Sequence, residues 1–320
     1  MSDRWLYGWG LASIGLGGAS LVVPLYVVEL GGGPVVLGVL AAAAAAAAAP
    51  GTLVVGRLAD RTGHRRGYVL GAIAVAAGGL AVVAGVESIP VVVAANAGIW
   101  FAFAAATPVV TLLAVVGAQE SAWSDRITRL NEWQGVGWAL GLLVGVCVLV
   151  GGERLVGLDA RTALRAVCLV CGTSAAAGWL LTARALPVGP GPRAGPAPRR
   201  LRRALRGATR FGVRGAGFPF TPTRMDFRGL HPRRFVRRFT PSLALYFAAV
   251  VLVFAGFGAF FAPLPAYLAG VGFGDDAVFG LYLALNVGAA ASFGSAGELV
   301  ERYEVTLVHA GSLAVRGVAL

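Results

Sequence analysis

The chain contains no lysine. All 27 of its Lys/Arg positions are arginine. A G-x-x-x-x-G-K-[ST] phosphate loop is therefore excluded, and with it an ATP-driven pump built within these 320 residues. Cysteine is nearly as scarce. Cys147, Cys168 and Cys171 all sit inside apolar runs. Three thiols cannot pair completely, and no extracellular disulfide framework is visible. Cys168 and Cys171 form a C-x-x-C, but no further Cys or His lies close by to complete a metal site, so both read as small packing residues. His64, His231 and His309 lie in separate segments, and neither H-E-x-x-H nor a Ser-His-Asp arrangement can be located. No enzyme chemistry, cofactor or metal is implied.

Charge is also sparse. Only 13% of residues are charged while 57% are apolar, and the mean hydropathy is +0.76. A soluble domain of this size could not hide that much apolar surface. Lipid can solvate it, provided every backbone group is bonded inside helices or a closed barrel. Barrel strands would show as short alternating segments, whereas the runs here are long and continuous, so an all-α polytopic membrane fold is expected. The uncharged runs are Leu6–Val28, Pro34–Gly56, Tyr68–Val86, Ile89–Ala118, Trp133–Gly152, Ala166–Ala183, Pro241–Gly274 and Ala277–Gly297. Each meets or nearly meets the ~20 residues needed to cross the hydrocarbon. Leu6–Val28 exceeds the ~7–15 residues of a signal-peptide core. Pro263 and Pro265 should break or bend the seventh run late. Val305–Leu320 is too short to span comfortably. Ala41–Ala49, nine consecutive alanines, reads as a packed helix face, since Ala is the best helix former and small residues allow close packing.

The net charge of +12 invites a nucleic-acid reading, but its location argues otherwise. Residues 184–240 hold 15 Arg and one acid, Asp226, for a net +14; the rest of the chain carries −2. This segment opens with a Pro/Gly linker. Leu201, Leu205 and Ala208 then recur at helical spacing among arginines, and Arg233, Arg234, Arg237 and Arg238 follow with Phe235 and Phe239. The pattern suits anionic lipid headgroups along 199–238; neither an independent fold nor an aromatic platform for nucleic acid is visible. With a cytoplasmic N-terminus, 23 of the 27 arginines fall on the inner side, as the positive-inside rule requires. The expectation is a multi-pass protein of the cell (plasma) membrane.

The loop after the second run reads Gly56-Arg57-Leu58-Ala59-Asp60-Arg61-Thr62-Gly63-His64-Arg65-Arg66-Gly67. Gly56 lets helices approach closely, Asp60 can pair with arginine or cap a helix, and Gly63 permits a tight turn. The stretch resembles the signature loop of the major facilitator superfamily, G-x-L-x-D-R-x-G-R/K-R/K, in both spacing and position; His64 replaces one usual basic residue. Gly297-Glu298-Leu299-Val300-Glu301-Arg302 repeats G-x-L-x-[D/E]-R at an offset of 241 residues. The same offset carries Pro24 to Pro265 and Tyr26 to Tyr267. The resemblance implies two parallel halves of six spans each. Three segments are expected: a six-helix half over 1–183, the basic inter-half loop over 184–240 and a partial second half over 241–320. The chain then covers about eight and a half of the twelve spans, and is expected to be C-terminally truncated.

The resemblance further implies secondary active transport of a small solute by alternating access. Gly56, Asp60, Arg61, Gly63, Arg65 and Arg66 would form a conformational latch, repeated at Gly297, Glu301 and Arg302. It also implies a central cavity lined mainly by the first and fourth helices of each half. Polar and aromatic residues in the spans supply the candidates: Tyr26, Asn96, Trp100 and Tyr246, with Gln134 and Asn286 as neighbours; Ser13, Ser20 and Thr107 belong to the same group. Each can equally serve as helix–helix glue. Gly137, Gly141 and Gly145 recur every fourth residue and mark a face for close packing. No carboxylate sits in the middle of a complete span, so proton coupling lacks an intramembrane acid here. The alternative is a truncated, non-transporting membrane protein or a lipid-surface interaction protein. The solute, its direction and the oligomeric state are not readable.

Overall fold

In hydrocarbon the backbone finds no hydrogen-bond partner but itself, so each long apolar run closes into a helix. The computed structural model describes residues 4–119, 122–186, 241–303, 307–308, 310–312 and 314–315; within these, some side chains, Asp60, Tyr246 and Glu301 among them, are not described. The basic segment expected on lipid headgroups, 199–238, lies outside the described residues.

The elements are α1 (Arg4–Glu29), α2 (Pro34–Pro50), α3 (Gly56–Thr62), α4 (Arg65–Gly85), α5 (Ile89–Val115), α6 (Trp123–Gly151), α7 (Ala160–Ala185), α8 (Pro241–Phe261), α9 (Leu264–Gly270) and α10 (Asp275–Arg302). A π-helical turn, Gly51–Val55, carries α2 into α3, and a second, Gly152–Val156, extends α6. No strand occurs among the described residues. Among them, seven helical stretches are long and apolar enough to cross a membrane, with α2 and α3 forming one and α8 and α9 another. The chain is an all-α, multi-pass membrane protein.

Local chemistry sets the helix ends. Gly31 at φ +86° turns the chain after α1, and Pro34 opens α2, where its missing N–H costs nothing. Gly63 at φ +71° ends α3 in the left-handed conformation, with its N–H donating to the Ala59 carbonyl at 3.1 Å. Asp159 caps α7 by accepting from the Thr162 N–H at 3.2 Å, and hydrogen bonding to the Thr162 side chain, with that N–H bond second, holds its carboxyl below the usual carboxylate range. The seventh run breaks as expected: α8 stops at Phe261, and α9 restarts after Pro263. Two helices outrun their apolar segments. α6 begins at Trp123 instead of Trp133, and α7 at Ala160 instead of Ala166. Charge ends an apolar run but not a helix, which continues into the polar headgroup layer.

The alanine run departs from its reading. It is helical, but of Ala41–Ala49 only Ala44 is fully buried. Leu37, Leu40, Ala44 and Gly51 form a single stripe, which faces α5; Ala41, Ala42, Ala45 and Ala46 are exposed and the other alanines of the run are half-buried. The residue of closest approach is also displaced. A Cβ on Gly56 would only touch the Pro108 ring, whereas one on Gly51 would press on the Phe101 carbonyl.

α1 is the centre of the bundle. It packs most extensively on α7 and α6, while α4 bridges α5 to α7 and α2 leans on α5. The contact is made through glycine. A Cβ on Gly17 would run into the Trp138 backbone, one on Gly137 into the Gly10 carbonyl and one on Gly141 into that of Ile14. On the other side Gly8 and Gly178 face each other in the same manner. Cys168 and Cys171 on α7 are fully buried in this packing.

Helix ends recur at the 241-residue offset. α1 ends at Glu29 and α9 at Gly270; α2 begins at Pro34 and α10 at Asp275. The repeated G-x-L-x-[D/E]-R occupies α3 in one case and the last turns of α10 in the other.

Gly141→Ala is expected to destabilise the protein by about 1–3 kcal/mol, because the added methyl meets backbone that cannot rotate away. Gly71→Ala, with open space around it, is expected to be neutral or slightly stabilising. Paired thermal melts in detergent check both; equal melting temperatures for the two variants contradict the packing assignment.

Candidate functional site

Two apolar clusters fill the bundle. One gathers Trp5, Leu6, Ala59, Val69 and Leu130 near the Gly56–Gly67 loop, and will be called the loop end. The other gathers Val23, Tyr26, Leu37, Val83, Leu149 and Leu164 at the far end. Phe103, near the middle of α5, packs against both.

Around Phe103 lies a group of aromatic rings from three helices. Trp9 of α1 stacks on Phe103 at 6.2 Å between centroids, with 9° between planes. Trp100 meets Phe103 edge-on at 6.1 Å and Trp138 of α6 at 6.1 Å, and Trp138 meets Phe103 at 6.2 Å. The spacing follows from helix geometry: Trp100 and Phe103 share one face at i, i+3, and Gln134 and Trp138 share another at i, i+4. The Trp9 indole N–H donates to the Gln134 amide oxygen at 3.3 Å, and the Ser13 hydroxyl donates to the Trp9 carbonyl at 2.8 Å. Asn96, one turn from Trp100, is buried. α5 touches α6 and α1 far less than it touches α4. Large side chains, not backbone contact, fill that side of α5.

The structure thus brings Trp100, Gln134 and Asn96 into one region with Ser13. Trp9, Phe103 and Trp138 were missed, although the i, i+3 and i, i+4 spacings to Trp100 and Gln134 were a usable signal. The remaining candidates lie elsewhere. The Thr107 hydroxyl donates to its own helix, at the Phe103 carbonyl, 2.9 Å away. The Asn286 amide nitrogen donates within α10 to the Tyr282 carbonyl at 2.8 Å. The side chain of Tyr246 is among those not described.

Tyr26 is fully buried at the far end. Its hydroxyl donates to the Val86 carbonyl at 2.7 Å and accepts from the Arg165 Nε at 3.1 Å. Arg165 also pairs with Glu87 at 3.2 Å, and Arg161 reaches the same carboxylate at 3.8 Å. This network ties the ends of α1 and α4 to the start of α7. It leaves the Tyr26 hydroxyl committed to protein partners.

At the loop end, Arg66 donates from Nη2 to the Ala183 carbonyl at 2.7 Å, near the C-terminus of α7. A cation there offsets the negative end of the helix dipole. Arg65 is buried, whereas Arg61, His64 and Arg302 are exposed. The side chains of Asp60 and Glu301 are not described.

α8–α10 meet α1–α7 mainly toward the far end. α9 lies on α1, and the Phe279 ring of α10 fills the space over Gly145 of α6. Asp275, at the first residue of α10 and ahead of the apolar run, has its pKa pushed up to about 6, chiefly by burial, with Glu29 of α1 and Asp276 adding like charge. α9 and the apolar part of α6 carry no charged side chain.

Two outcomes follow. Tyr26→Phe is expected to cost about 1 kcal/mol of stability by stranding the Val86 carbonyl, with solute affinity unchanged. Melting together with a binding isotherm checks this, and an affinity loss without destabilisation would return Tyr26 to the cavity. Secondly, burial favours neutral Asp275, so the far-end packing of α9 on α1 and of α10 on α6 should be firmest below pH 4 and loosen as pH rises through about 6. Spin labels across the far end should separate over that range, and Asp275→Asn should abolish the change.

The family model described as Major Facilitator Superfamily matches residues 7–320. No curated protein and no solved structure matches the chain.

Proposed function

The chain belongs to the Major Facilitator Superfamily, and we propose that it is a secondary active transporter that moves a small solute by alternating access. It is a membrane transporter of that family; members of the family carry small molecules across membranes and are not enzymes. The finer reading rests above all on one observation, the recurrence of helix ends and of G-x-L-x-[D/E]-R at a common offset. Parallel repeats of this kind allow two bodies to rock about a site near the midplane.

In this reading residues 1–183 form one body and 241–320 belong to the second, joined by residues 184–240, with anionic headgroups as the partners of the basic stretch 199–238. The loop end faces the cytoplasm of a plasma-membrane protein, because that side gathers the arginines. Contact between the bodies at the far end supports a state closed toward the outside. Asp60, Arg61, Arg65 and Arg66, with Glu301 and Arg302, latch the cytoplasmic side in the opposite state. The Arg66 bond to the end of α7 anchors that loop within the first body.

Purified protein in proteoliposomes, screened for counterflow of labelled solutes, tests the reading. Asp60→Asn is expected to lower the transport rate at least tenfold, about 1.4 kcal/mol of barrier, with insertion and melting unchanged. Unaltered uptake in that variant removes Asp60 from the mechanism.

A further inference from the structure

We propose that the solute is a planar aromatic molecule, neutral or carrying a delocalised positive charge, held by Phe103 and Trp138 and oriented by Gln134. The proposal rests on the transporter reading and concerns what its site recognises.

Three observations carry it. The first is which rings are accessible. Trp9 and Trp100 are 2% and 6% exposed and act as backing, whereas Phe103 and Trp138 are only partly covered. The half-covered rings are those a solute can reach, and their π faces favour other aromatic planes. The second is how rigidly they are set. The Trp138 backbone abuts Gly17 of α1, the closest kind of helix contact in the bundle, and Phe103 is backed by the Trp9 ring. A pre-set aromatic surface pays little ordering entropy on binding.

The third is charge. No Asp, Glu, Arg or His interrupts α5, or α6 from Trp133 to Gly151. Among the described residues, these stretches of α5 and α6 offer an anion no cation to replace its hydration, which is costly. A diffuse cation meets the negative faces of several rings. Polar recognition falls to Gln134. Its oxygen is engaged by the Trp9 indole, which fixes the amide plane, and the amide nitrogen brings two donors. A solute acceptor such as a ring nitrogen or carbonyl suits them. A polyhydroxylated solute would need many polar partners that this ring-lined surface does not supply.

The test uses the full chain in nanodiscs, with ethidium as planar cation, coumarin as planar neutral, fluorescein as planar anion and glucose as non-aromatic solute. Saturable quenching of tryptophan fluorescence, corrected against empty discs, reads binding. Ethidium and coumarin are expected to saturate, and fluorescein and glucose to leave the signal unchanged. Trp138→Ala and Phe103→Ala should weaken ethidium binding at least tenfold. Trp138→Phe should keep it within about threefold, since a ring remains, and Gln134→Ala should weaken coumarin more than ethidium. Saturable fluorescein or glucose binding without ethidium binding overturns the proposal, as does ethidium binding unchanged in both alanine variants. If those variants do not fold, the four-probe comparison on the unaltered protein decides alone. Counterflow in proteoliposomes separates the two readings. Transport of a non-aromatic solute with no ethidium binding sinks the aromatic class and leaves the transporter standing. Saturable ethidium binding with no counterflow of any solute leaves the site standing and sinks the transporter.

Discussion

The backbone contact of α1 with α6 and α7 is the constraint on which the rest of the bundle depends. Lipid tails solvate leucine as well as another helix does, so apolar side chains alone give little reason for helices to associate in a membrane. Close packing gives that reason, and it requires residues without side chains where the axes meet. Gly17, Gly137 and Gly141 provide them on one side, and Gly8 with Gly178 on the other. α1 accordingly sits between its neighbours with Ser13, Ala19, Val22 and Tyr26 wholly removed from the surface.

That tight side makes an open side meaningful. With α6 pinned to α1, the Trp138 ring has a defined position, and Gln134 one turn earlier can meet the Trp9 indole. α5 is held differently. It packs along α4 but is kept off α1 and α6 by rings. The helix–helix interfaces therefore divide into glycine contacts, which fix distance, and aromatic contacts, which fill it.

Much of the fold was legible in the sequence because hydrocarbon imposes a length and a hydropathy. Seven of the eight expected spans, the break at Pro263 and the packing face of Gly137, Gly141 and Gly145 could be read. What could not be read shares one physical origin. In a soluble protein the face of a helix shows in the alternation of polar and apolar residues; in lipid both the core face and the outer face are apolar. Ala41–Ala49 thus gave no indication that one stripe alone packs. The commitment of the Tyr26 hydroxyl to Arg165 and Val86 depends on residues far apart in sequence. Of the candidate site, Trp100, Gln134 and Asn96 were identifiable as polar or amphipathic residues in spans, whereas Phe103 looked like any other lipid-compatible side chain. The helix starts at Trp123 and Ala160 were hidden for a related reason: charge marks the edge of the hydrocarbon, and helical hydrogen bonding does not stop there.

The 241-residue repeat also shows where its two copies diverge. Pro24 and Pro265 occupy the same position in it, yet α1 runs unbroken through Pro24 while the chain has already turned at Pro263 before α9. One proline removes a single hydrogen bond and is tolerated inside a helix that other helices surround. A second proline two residues earlier removes another, and α8 offers little enclosure, with Leu245, Val251 and Leu252 exposed. The break therefore falls in the less supported copy. It leaves α9 as a short separate piece, and α9 is the part of that copy that lies against α1. The same repeat thus yields a continuous, enclosed α1 in one copy and a jointed segment in the other, with the joint next to the far-end contact where the two copies meet.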